Sequence, residues 1–166
     1  MSEKKIDPIR PTDDEARTLA RKLVAGARFA AVGVVEPETG YPLVSRIAFG
    51  LHPQGGWPVF LASELSFHSK ALAHDPRATM LVGEPPAKGD PLAFPRVTLI
   101  GDVTRIDRSS KERNALRGPW LEKHPKAQLY IDFGDFHFFA MEVKRANLNG
   151  GFGKAFVLNP ADLGMG

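Results

Sequence analysis

Apolar residues first recur at helical spacing and then give way to runs of strand length. Leu19, Leu23 and Val24 lie on one face of a predicted helix that opens at Thr12-Asp13-Asp14-Glu15 and closes near Gly26. Its start reads as a capping box, with Glu15 three residues after the Thr12 hydroxyl. Apolar stretches separated by turn formers follow. Arg28–Val35 is predicted as the first strand, turned by Pro37-Glu38-Thr39-Gly40. Leu43–Leu51 is the second, closed by Pro53-Gln54-Gly55-Gly56, and Trp57–Leu61 is the third. A short helix capped by Ser66 comes next and stops near His74, because Pro76 disfavours helical geometry at Asp75. Ala78–Val82 and the long Phe94–Ile106 are the fourth and fifth strands. Gly101 inside the fifth predicts a bulge or a close backbone approach. Arg108–Lys123 has helical character interrupted at Gly118-Pro119, and Phe136–Val143 forms the sixth strand.

Six strands joined by Gly/Pro turns, with few helices, predict a mainly β protein: an antiparallel barrel with helices packed outside it. In the sixth strand Phe136, Phe138 and Phe139 are nearly continuous, which breaks strict alternation. Burial on both faces explains this, one by the barrel interior and the other by a second subunit; a covering helix is the alternative. Residues 1–11 read as a loose arm, 12–158 as one domain and 159–166 as a tail.

The 166 residues are 43% hydrophobic, enough for one domain with a real core. No apolar run reaches membrane-spanning length, and the charged start Met1-Ser2-Glu3-Lys4-Lys5 leads to no signal core. The expected location is cytoplasmic. With no cysteine, disulfides, thiolate metal sites and a cysteine nucleophile are excluded. A net charge of +3 favours anionic partners in general but is too small an excess to indicate nucleic acid. Gly153-Lys154 fails the P-loop pattern, because Leu148 and Ala155 stand where glycine and a hydroxyl residue are required. The histidines His52, His68, His74, His124 and His137 show no close ligand spacing, and His68 and His74, six apart, point to different sides. No metal site and no hydrolytic nucleophile is expected.

The strongest candidate chemistry lies at the start of the short helix. Ser63, Ser66, His68 and Lys70 cluster there, and a helix N-terminus offers free N–H groups and partial positive charge to an anion. A solvated polar turn explains the same residues equally well. Ser45 and Arg46 interrupt the apolar second strand; an arginine there can grip phosphate with two prongs or simply face solvent.

Taken in order, the segments from about Thr12 to Ala155 resemble the pyridoxamine 5′-phosphate oxidase-like FMN-binding split-barrel family. The resemblance rests on Phe60-Leu61-Ala62-Ser63-Glu64-Leu65-Ser66-Phe67-His68-Ser69-Lys70 running to Asp75-Pro76-Arg77, and on Arg96-Val97-Thr98-Leu99-Ile100-Gly101. The ending, Gly134-Asp135-Phe136 with Gly150-Gly151-Phe152-Gly153-Lys154-Ala155, is similar to the haem-utilisation HugZ-type branch. The resemblance implies a Greek-key-like split barrel, a homodimer with FMN shared at its interface, and an oxidoreductase. It implies that Ser45, Arg46, Ile47 and Ala48 line the flavin, followed by Leu61, Ala62 and Ser63 along the ribityl chain. Ser66, His68 and Lys70 would surround the phosphate, Arg96 would reach in from the other subunit, and Gly150 and Gly151 would lie in a flavin-contacting segment. A non-catalytic flavin carrier or sensor, and haem binding or breakdown, are the alternatives. The chain departs from the oxidase pattern: Phe67-His68 stands where an Arg-Lys pair is found, and the C-terminal Arg-x-His region is missing. Pyridoxamine phosphate is therefore not the expected substrate.

Overall fold

The computed structural model describes residues 7–166, so the predicted arm at 1–11 lies partly outside the described residues. The first helix, α1 (Asp14–Gly26), starts one residue later than the capping box predicts. Asp13 is its N-cap and accepts from Ala16 N at 2.8 Å. Its carboxylate also brings negative charge to the positive end of the helix, which a hydroxyl cannot. The Thr12 hydroxyl instead donates to the Val157 carbonyl.

Eight strands follow: β1 (Phe29–Val35), β2 (Pro42–Ala48), β3 (Gly50–Leu51), β4 (Pro58–Ser63), β5 (Arg77–Val82), β6 (Arg96–Arg105), β7 (Phe136–Asn149) and β8 (Ala155–Leu158). They form one sheet in the order β2-β1-β5-β6-β7-β4-β3, with β8 on β7, and every pairing of these strands is antiparallel. The sheet curls until β2 meets β4 without joining its ladder, giving a barrel split along that seam. Helix α2 (Phe67–His74) packs on β1, β2 and β6. The core fills the curl with Val32, Phe49, Phe60, Met80, Leu99 and Phe138, all fully buried.

Three expectations need correction. The second strand is two strands rather than one run to Leu51. The chain bends at Phe49, whose amide donates to the Arg28 carbonyl while its side chain enters the core. Helix α3 (Lys111–Lys123) is not interrupted at Gly118-Pro119 but continues through Pro119. Proline removes a backbone hydrogen bond there. Burial of Trp120 keeps the next turn in place: its ring lies edge-on to Phe138 with centroids 5.5 Å apart, and it fits against Gly50 because that residue has no Cβ. The same helix explains the apolar run in β7. Phe138 is covered by Trp120 and Phe139 stacks on Phe60 at 4.9 Å, so both faces are buried within one chain and no second subunit is needed.

The bulge predicted at Gly101 is present. The β6–β7 register shifts between Ile100 and Gly101, and a Cβ on Gly101 would meet the Glu142 carbonyl oxygen at 2.0 Å. Residues 159–166 fold back on α1, where Arg17 donates to Asp162 at 2.7 Å and Leu163 and Met165 are buried. Among the described residues no helix is long and apolar enough to cross a membrane.

Candidate functional site

Alternation along β2 sends Ser45 and Ile47 to the inner face and Arg46 to the outer one. Ser45 Oγ meets His68 Nδ1 at 2.9 Å across the gap between β2 and α2. On the other side of the ring, His68 Nε2 lies 3.2 Å from Ser66 Oγ. The single proton of Ser66 is directed to the Ser63 carbonyl or to Ser69 Oγ, at 2.8 and 2.7 Å. Towards His68 this hydroxyl therefore accepts, Nε2 carries the ring proton, and Ser45 donates to Nδ1. Burial pushes the His68 pKa below its ordinary value, so the ring is neutral at pH 7. Ser66 also caps α2 by accepting from Ser69 N.

The neighbouring loop is closed in the same way. Ser63 Oγ donates to Asp135 at 2.6 Å and accepts from Leu65 N, while Glu64 N donates to the Asp135 carbonyl. Leu61, Ala62 and Ile47 are core residues, each less than 10% exposed, and Ala48 is half-buried. The fold thus brings Ser45, Ser63, Ser66 and His68 together above an apolar floor.

The remaining predicted residues go elsewhere. Arg46 is exposed, with its guanidinium 5.5 Å over the Phe29 ring. Arg96 donates to the carbonyls of Leu92 and Phe94 and borders a 330 Å³ hollow between β6, β7 and β8. Gly150 and Gly151 form the β7–β8 turn, where Gly151 adopts φ 115°. Lys70 lines a separate cleft that runs along α2 from Leu65 to His74.

That cleft, of about 540 Å³, contains residues the sequence reading did not select as site residues. Its walls include Leu72, Val103 and Phe139, and its polar groups include Glu64, Lys70, His74 and Arg105. Glu64 Oε2 accepts from Arg105 at 3.3 Å and from His137 Nε2 at 3.0 Å. His137 is almost buried, and its Nδ1 has no partner among the described residues. One signal was available: Lys70 and His74 are four apart and must share a helix face. His68 and His74 do point to different sides, as their spacing predicts.

Among the similar proteins, two that are more than 30% identical to the chain are named for haem. Over 118 residues the chain is 36% identical to the chloroplastic heme oxygenase HOZ of Arabidopsis thaliana, which covers 71% of this chain but 35% of that protein. The chain therefore spans about a third of that relative's length. It is 33% identical to a heme binding protein from Mycobacterium smegmatis, covering 94% of this chain and 61% of that one with a TM-score of 0.80. A Clostridium acetobutylicum protein of the pyridoxinephosphate oxidase family, 17% identical, covers 92% and 99% with a TM-score of 0.66 and shares the fold.

These relatives overturn the expectation of FMN. At the predicted phosphate site the geometry agrees, because the basic side chains expected to converge there do not. Here Arg46 faces outward, Lys70 borders another cleft, and His68 is neutral with both nitrogens engaged. Residues 11–162 match the family model described as CREG, beta-barrel. The chain belongs to that family and has the split-barrel fold that it shares with the pyridoxinephosphate oxidase-family protein.

Proposed function

We propose that this protein binds haem. The observation that carries the reading is its 33% identity, over 94% of the chain, with the mycobacterial heme binding protein. The donor chemistry is compatible: histidine is a common ligand to haem iron, and basic side chains supply partners for the propionates. Haemin added to the purified protein is expected to give a saturable Soret band distinct from that of free haemin. A titration in which the band stays that of free haemin would rule the reading out.

Identity with the plant heme oxygenase favours a second reading, haem breakdown, for which oxygen and a reductant are needed. Loss of the Soret band with ascorbate in air, and in the presence of catalase, supports it; a stable band leaves binding alone.

The active form is a homodimer. Val44, Leu81 and Val157 are exposed on strands of the sheet, with Leu81 in the ladder beside Ala31 and Thr98. Covering such side chains favours association. Sedimentation of wild type as a dimer and of Leu81→Glu as a monomer is the expected result; a monomeric wild type refutes it.

A further inference from the structure

The geometry points to His74 as the iron ligand, in the cleft between α2 and the β6–β7 end of the sheet, an assignment that rests on the haem-binding reading. An imidazole that ligates iron needs a nitrogen with a free lone pair and room for a macrocycle in front of it. Four of the five histidines fail on one count or both. His52 is buried, and its Nδ1 takes the amides of Gln54 and Gly55. His68 holds a hydroxyl on each nitrogen. His124 donates through Nε2 to the Phe49 carbonyl, which leaves only the nitrogen beside its own backbone, and its ring lies on Trp120 at 4.3 Å. His137 donates Nε2–H to Glu64, and its Nδ1 is enclosed by protein.

His74 passes both. Its Nδ1 lies 3.0 Å from the Lys70 carbonyl, and a carbonyl can only accept, so Nδ1 carries the proton. In the neutral ring the lone pair then sits on Nε2. A hydrogen bond on the far nitrogen that fixes tautomer and ring orientation is the usual support of a metal-bound imidazole. The residue is exposed and lines the 540 Å³ cleft, a volume within the range of about 300–1,000 Å³ common for cofactor sites. Leu72, Val103 and Phe139 supply apolar wall. Lys70 and Arg105 supply two cations for two propionates, and Arg105 is held by a half-exposed pair with Glu64 that a propionate can replace.

The test is a haemin titration of the full chain, read by Soret absorption and by the ligand-field pattern in electron paramagnetic resonance. His74→Ala is expected to weaken binding by about tenfold or more and to change the ligand-field pattern, with added imidazole restoring it. His68→Gln should keep the wild-type spectrum. Ala73→Trp, on an exposed helix position lining the cleft, should block binding without touching a ligand. A wild type that binds no haemin defeats the haem reading itself. A wild type that binds, with His74→Ala and Ala73→Trp both unchanged in affinity and spectrum, defeats this assignment alone.

Discussion

At the start of α2, His68 is half-buried, with Ser45 on one ring nitrogen and Ser66 on the other. At the end of the same helix, His74 is exposed and bonded through one nitrogen to a backbone carbonyl. The first imidazole joins β2 to the helix cap; the second keeps a coordination position open. Residue type and proximity to hydroxyls drew attention to the first. A count of unfilled hydrogen-bonding and ligating positions selects the second.

Both ends stand on one aromatic floor. Phe60 stacks on Phe139, which lines the cleft, and lies edge-on to His68 with centroids 6.3 Å apart. Phe60→Ala should therefore disturb both, at a cost of about 3–5 kcal/mol in urea unfolding. A loss below about 1 kcal/mol would mean that the site can collapse around the gap and that the shared floor is not needed.

A change confined to the cap should separate the two ends. Ser66→Ala removes the acceptor for Ser69 N and leaves His68 Nε2 without its partner, and is expected to cost about 1 kcal/mol. Haem affinity should be retained, since the His74 end keeps its own hydrogen bond. An unchanged denaturation midpoint would show that the cap does not organise this end.

The smallest effect concerns pH. Burial lowers the folded-state pKa of His68, so the unfolded chain takes up the proton first. The neutral ring's contribution to stability is thus full above the ordinary value of 6.5 and is lost as pH falls from there towards the lower folded value. His68→Gln cannot titrate, and its stability should decline less steeply below pH 6.5 than that of wild type. Some slope remains, because burial also lowers the pKa of His124. Parallel curves for variant and wild type would contradict the neutral, buried assignment.

Much of the fold was legible because its signals are local. Ser66 as cap, His74 as the end of α2 and Gly101 at the bulge each follow from the chemistry of one residue or its immediate neighbours. Pro119 was misread for the same reason: local chemistry forbids a helix there, and the burial of Trp120 decides otherwise. The site was less legible. The contact between Ser45 and His68 joins residues 23 apart, and that between Glu64 and His137 joins residues 73 apart. Neither separation has a signature in spacing.

The sequence by itself determined the strand-rich antiparallel architecture, the cap and stop of α2 and the opposed directions of His68 and His74, because periodicity and terminal hydrogen bonding act over a few residues. Only the tertiary structure decided which basic side chains converge, which imidazoles are already satisfied and what covers β7. Those outcomes depend on how the curled sheet brings distant strands and α3 together, and on whether burial leaves each polar group a partner.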